Sequence, residues 1–221
     1  PPAASLAAAR ALLRDLGAID AAGTITPHGS AMARLGQHPR LAHLVLKGRA
    51  LGQGRIAALL AAILSERDFL RLPPGQRDAD LRHRVGLALA GKAPRQIAEM
   101  ARRLTPRAEA GTPDVGMTGE LLALAYPDRI GRRRPGAAGR YLLSGGRGVA
   151  LPEGDSMANE EFIVVADLNG STQDGRVFLA APITAAGIEE AYADRIVGEE
   201  VLRWNAQEGA VQARRQRRLG S

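Results

Sequence analysis

The chain contains no cysteine, which excludes a disulfide framework, a thiolate metal centre and a cysteine nucleophile. The same absence fits a reducing compartment, and a cytoplasmic location is expected. Aromatic residues are scarce, 3% with a single Trp204, so the core has to be assembled from Ala, Leu, Ile and Val. Lysine is nearly missing: Lys47 and Lys92 are the only two among 30 basic residues. That bias, beside so much Ala and Gly, matches a GC-rich genome; it explains arginine over lysine but not the net positive sign. No apolar run approaches a membrane span. Pro1-Pro2-Ala3-Ala4 has neither the basic start nor the apolar stretch of a signal peptide, and no membrane partner is expected. The missing initiator Met is read as a start inside a longer protein, or as processing.

What is present is positive charge, unevenly spread. The 221 residues carry a net +7, which suggests a polyanionic partner. Residues 1–110 hold 17 basic and 8 acidic side chains, 111–150 hold 6 and 3, and 151–221 hold 7 and 12. The basic surface therefore belongs to the first two thirds and to one late cluster.

Hydrophobic spacing divides the chain into helical and extended parts. Leu6, Ala9, Leu12, Leu13 and Leu16 recur at helical spacing up to Gly17. Two short extended pieces around Gly23 follow, and Thr26-Pro27 offers an N-cap with Pro at the first helical position. Helix, small hairpin, helix is the back half of a winged helix. From Pro39 to about residue 110 the pattern predicts a helical bundle, with a buried stripe over 55–64, a helix capped by Asp78 or Asp80 and running through Leu89, and another over 94–104. Thr105-Pro106 and Gly111-Thr112-Pro113 mark a linker, and a last helix covers 114–125. Beyond Tyr126-Pro127-Asp128 the period changes. Residues 141–143, 149–151, 162–166 and 176–181 read as strands separated by Gly- and Asn-containing turns. A short helix is expected over 187–195, and a third hairpin from Ile196 to Gln216. Short strands at regular spacing predict a small barrel of the OB type.

Several motifs suggest chemistry without carrying it. Gly86 to Ala93 has the spacing of a phosphate-binding loop, yet Ala93 stands where a magnesium-binding hydroxyl is needed and the stretch lies inside a bundle. His38 and His43 are five apart, off the helical spacings of three and four, with no cysteine or carboxylate pair nearby to complete a metal site. The doublets Glu160-Glu161, Glu189-Glu190 and Glu199-Glu200 put neighbouring carboxylates on opposite faces of an extended chain, poor geometry for acid–base work. No Ser sits in a Gly-x-Ser-x-Gly elbow. Neither a catalytic residue nor a metal or cofactor ligand is assigned. The informative feature is arginine. Arg129, Arg132, Arg133 and Arg134 cluster at the start of the barrel region, Arg140 and Arg147 follow on its first hairpin, and Arg214, Arg215, Arg217 and Arg218 form a second cluster. Guanidinium forks match phosphate geometry and stack on bases, and OB barrels bind single strands on one face and its loops. These ten arginines are the nucleic-acid-binding candidates, against the alternative of a merely solvated basic surface.

Longer passages resemble a known family. Leu16-Gly-Ala-Ile-Asp20, Gly23-Thr-Ile-Thr26-Pro-His-Gly29, Met32-Ala-Arg-Leu35, His38-Pro-Arg-Leu-Ala42 and Ser65-Glu-Arg-Asp68 resemble the winged-helix and ratchet domains of DEAH-box helicases. Leu124-Ala-Tyr-Pro-Asp-Arg-Ile130, Arg132 to Arg134, Gly139-Arg-Tyr-Leu-Leu143, Gly146-Arg-Gly148, Val164 to Leu168, Ala180 to Ile183, and Trp204 with Gly209 to Arg215 resemble the bacterial HrpB-type branch. The resemblance implies an α+β multidomain chain: a partial winged helix in 1–38, a ratchet-like helical bundle in 39–125 and an OB-type antiparallel β-barrel in 126–221. It implies an accessory unit that packs on the motor domains of the same polypeptide and helps enclose a single strand of RNA or DNA. The motor's phosphate loop, Asp-Glu-Ala-His box and arginine finger are missing, so ATP and magnesium are expected only in the motor. The family's further C-terminal extension is likewise expected to be absent after Ser221. Two other readings stay open: a free-standing winged-helix transcription regulator with an effector-binding barrel, which would need a complete three-helix unit before the wing, and an enzyme in its own right.

Overall fold

The computed structural model describes residues 2–105, 112–170, 174–205 and 210–219. The linker expected at 105–113 falls largely outside these, as do the loop at 206–209 and part of the turn after Asn169.

The first unit is helix α1 (Ala3–Asp15), a turn closed by one antiparallel bridge between Ile19 and Ile25, and helix α2 (Pro27–Arg34). Thr26 ties it together. Its hydroxyl accepts from the Gly29 amide at 3.0 Å, capping α2, and donates to the Gly17 carbonyl at 2.7 Å. A Cβ on Gly29 would fall 2.0 Å from the Ala18 carbonyl oxygen. Glycine three residues after the threonine is what lets the first turn of α2 close on the chain before it.

The bundle comprises α3 (Pro39–Ala50), α4 (Gly54–Leu64), α5 (Leu81–Leu89), α6 (Arg95–Leu104) and α7 (Thr118–Ala125). Helix α4 is buried without interruption from Ile56 to Ile63; apolar on every side, it takes the centre. Helix α6 is sharply amphipathic and buries Ile97, Ala101 and Leu104. Asp80 caps α5, accepting from the Arg82 amide at 2.9 Å. The stretch Gly86 to Ala93 is the end of α5 and its left-handed stop at Gly91, φ 73°, not a loop between a strand and a helix.

Strands β1 (Ile130–Arg133), β2 (Arg140–Leu143), β3 (Gly148–Ala150), β4 (Phe162–Leu168) and β5 (Gly175–Pro182) close a barrel in the order β1-β2-β3-β5-β4. Four seams are antiparallel and the β3–β5 seam is parallel. The barrel is therefore mixed where an antiparallel one was expected, because β4 returns to pair with β1 and leaves β5 beside β3. Strand β1 was not foreseen: one Ile, one Gly and two Arg hide its alternation. After helix α8 (Ala185–Tyr192), strands β6 (Ile196–Asn205) and β7 (Ala210–Leu219) form a separate two-stranded sheet. The span 126–221, expected as one barrel, thus holds a barrel within 130–182 and a distinct hairpin.

Bundle and barrel share a core. Val164 and Ala166 on one side of β4, with Leu179 and Ala181 of β5, join Leu59, Leu60, Leu121, Leu122 and the rest of the bundle's apolar cluster. Ile163 and Val165, on the other side of β4, line the barrel with Tyr141, Val149, Met157 and Val177. Both faces of β4 are covered, which is why it reads as a continuous apolar run. Buried Asp155 accepts from the Ala79 amide at 2.9 Å and from the Met157 amide at 3.0 Å, and the Ala180 amide donates to the Ala79 carbonyl. Among the described residues no helix is long and apolar enough to cross a membrane.

Candidate nucleic-acid interface

The arginines that are neighbours in sequence separate in space. Arg129 is a strut: its guanidinium donates to the Ala166 carbonyl at 2.8 Å and lies 5.0 Å from the centre of the Tyr126 ring. Arg40 of α3 lies 5.1 Å from the same ring, and donates to the Ala125 carbonyl and to both Asp128 oxygens, at 2.6 and 3.1 Å. Ser144 donates to the Pro127 carbonyl at 2.6 Å. The Tyr126-Pro127-Asp128-Arg129 passage is thus the joint between bundle and barrel, with Arg40 its partner from the bundle.

The remaining barrel arginines divide by strand alternation. Gly131, Arg133, Tyr141, Val149 and Val177 belong to the inner side. A Cβ on Gly131 would meet Leu143 and Tyr141, and Arg133 stands opposite Tyr141 with its Nε buried and without a partner among the described residues. Burial pushes the Tyr141 hydroxyl up to about 12, and it donates to the Met157 carbonyl at 2.7 Å. Arg147 donates to the Asn169 carbonyl at 2.6 Å and packs over Gly175.

Arg132, Arg134, Arg140 and Arg176 belong to the outer side. Arg140 stands opposite Ala150, and Ala150 opposite Arg176; the Arg134 amide donates to the Arg140 carbonyl. One row across the barrel therefore reads Arg134, Arg140, Ala150, Arg176. The next reads Arg132, Leu142, Gly148, with Asp174 just before Gly175. Small side chains on β3 leave a trough, and Arg140 and Arg176 stand on its two walls, two strand spacings or roughly 10 Å apart. Leu142 on β2 and Phe178 on β5 are exposed, 49% and 39%. Phe178 also lines a cleft of about 670 Å³ between the barrel and the bundle segment carrying Arg67 and Arg77. Arg132 is 72% exposed, lies 3.5 Å from Glu161 and 5.8 Å from the Phe162 ring. Asp174 occupies the trough, 2.6 Å from Arg140 and 3.3 Å from Arg134.

Arg214, Arg215, Arg217 and Arg218 lie on β7, where the backbone register sets them opposite Val201, Glu200, Gly198 and Val197. They are on the hairpin, not on the barrel. Sequence reasoning passed over Arg176 and Phe178, single residues in a strand-like run; the alternation of Val177 and Leu179 with them was the available signal. It also missed that His28 meets His43, Nε2 to Nδ1 at 2.9 Å, with burial pushing His43 down to about 4.

No family model matches the chain. Among curated proteins it is 30% identical, over its whole length, to the ATP-dependent RNA helicase HrpB of Escherichia coli strain K12. Two crystal structures, of the E. coli DExH-box NTPase HrpB and the Escherichia coli DEAH/RHA helicase HrpB, each superpose on the full chain with a TM-score of 0.77, at 31% and 27% identity. The chain spans about a quarter, 26%, of the length of each of these relatives.

Proposed function

The chain is a homologue, end to end, of the C-terminal accessory region of HrpB helicases, and from that premise we propose that it is the nucleic-acid-gripping accessory unit of a DEAH-box helicase. The observation that carries this is the outer face of β2, β3 and β5: guanidinium groups on both walls and a floor of Gly148 and Ala150, with Phe178 exposed farther along β5 in the neighbouring cleft. Phosphates sit between arginine forks, and a base stacks on an exposed aromatic ring whatever its sequence. Single-stranded nucleic acid is the ligand, with RNA the first candidate from the relative's name. Arg132, Arg134, Arg140 and Arg176 make the phosphate contacts; Arg129 holds the joint. The strand continues into the cleft beside Arg77 and Arg67. ATP and magnesium act in motor domains of the parent polypeptide, which form the opposite wall of the channel, so the chain alone binds weakly.

Fluorescence anisotropy with a labelled uridine oligonucleotide across a salt series tests this. Three or four engaged phosphates give a log–log slope of roughly −2 to −3. Replacing Arg140 and Arg176 together with Gln should flatten it by about 1 to 1.5. Arg129→Gln should leave the slope and lower the melting temperature. An unchanged slope in the double variant places the binding path elsewhere.

A further inference from the structure

The carboxylate in the trough is out of place for an anion site, and its placement is specific. Asp174 reaches Arg140 Nη1 with one oxygen at 2.6 Å and Arg134 Nη2 with the other at 3.3 Å. The two arginines flank the β1–β2 turn, so a single carboxylate gathers both ends of that loop. The group lies flat on β3. A Cβ on Gly148 would come 2.1 Å from Asp174 Oδ1 and 2.4 Å from Arg134 Nη2. Glycine at 148 leaves the space that the ion pair fills, and two forks converging on one pair of oxygens also describes an arginine-bound phosphodiester.

We propose that Asp174 is a resident stand-in for phosphate, a built-in competitor that holds Arg134 and Arg140 in readiness and yields the position when a single strand enters. The proposal rests on the reading of this face as the nucleic-acid site. Its energetic basis is exposure. The three side chains are 24%, 56% and 41% exposed, so the ion pairs are screened and exchange of one anion for another is cheap. The pairing also keeps the two long side chains ordered before binding, which lowers the entropy lost on binding. In exchange, Asp174 weakens attraction: it removes one unit from the charge offered by Arg134, Arg140 and Arg176. A loop-holding role would use the same hydrogen bonds, but it makes the opposite forecast. A holder, once removed, weakens binding; a competitor, once removed, strengthens it.

The test is Asp174→Asn in the 221-residue chain, titrated with a labelled uridine oligonucleotide of roughly 16 nucleotides, a site size within the OB range. The expected result is tighter binding at low salt, about threefold to tenfold, and a salt slope steeper by about 0.7, one more phosphate's worth. Asp174→Glu, which keeps the charge, should bind like the parent. Adding Arg140→Gln to Asp174→Asn should abolish the gain. Equal or weaker binding by Asp174→Asn beside a parent that binds with the expected slope overturns the inference and leaves the functional reading standing. Loss of the fold in Asp174→Asn also overturns it, since a screened pair should not carry the barrel. If neither parent nor variants bind, the reading of this face fails and the inference fails with it.

Discussion

Replacing Gly119 with Ala adds one methyl group where a helix presses directly on the backbone of a strand. Gly119 is on α7, which packs against both the bundle and the end of β5, and a Cβ there would stand 1.9 Å from the Pro182 carbonyl oxygen and 2.8 Å from its carbon. Ordinary contact begins near 3.4 Å, so α7 or β5 must retreat by roughly 1.5 Å. Neither moves easily: Leu121, Leu122, Ala123 and Ala125 are fully buried on α7, as are Ala180 and Ala181 on β5. Overpacking a core with one methylene costs about 1–3 kcal/mol, and a clash with backbone belongs at the upper end. Against about 3 kcal/mol stands a gain of about 1 kcal/mol from Ala over Gly in a helix. The net expectation is a loss of about 2 kcal/mol, a fall in melting temperature of about 4–8 °C for a chain of this size. Gly86 supplies the control. It lies inside α5 with nothing within 4 Å of its would-be Cβ, so Gly86→Ala should stabilise by about 0.5–1 kcal/mol. Thermal and guanidinium unfolding followed by far-UV circular dichroism measures both. A Gly119→Ala protein that melts at or above the parent would show that α7 does not seat against Pro182.

Arg84 is 2% exposed and forms ion pairs with Asp68 at 2.6 Å and Asp78 at 3.3 Å; Arg84→Met strands those carboxylates and should cost about 3 kcal/mol, the low end for a broken buried pair because Asp68 is partly solvated. Burial opposes the Asp68 charge, but hydrogen bonds from Arg84 and the Leu70 amide outweigh it and hold that carboxyl below its ordinary 3.8. Its stabilisation is present above 3.8 and lost as pH falls through the lower folded value, so urea midpoints of Arg84→Met should depend less on pH in that acid range than the parent's. His43 behaves in the same sense for a different reason: burial holds it neutral, at about 4 against an ordinary 6.5. The unfolded chain takes up the proton first, so stability should decline as pH falls from 6.5 towards 4, and His43→Asn should flatten that decline in the same titration.

Much of the architecture was legible in the sequence because its signals are local. Helical spacing located α3 to α6, Thr26-Pro27 and Asp80 announced two helix starts, and runs of β-branched and aliphatic residues marked β2 to β5. The Thr26 to Gly29 passage that carried the family resemblance has a cause a few residues long, a cap bond and a glycine pressed on a carbonyl. Strand β1 stayed hidden because two of its four residues are arginines, one turned to solvent and one to the barrel's mouth, so no apolar alternation survives.

The basic character of the barrel region, and arginine as the residue type that carries it, were determined by sequence alone. Which arginines are tied into the scaffold and which are exposed was decided only by tertiary structure. A strand turns consecutive side chains to opposite faces, so Arg132, Arg133 and Arg134 could not act as one patch. The partners that settle each role come from far along the chain: Ala166 for Arg129, 37 residues away, and Asp174 for Arg140, 34 away. Arg176 joins Arg140 because β5 runs parallel beside β3, and a pairing between strands separated by a whole crossover leaves no mark in the local pattern of either one.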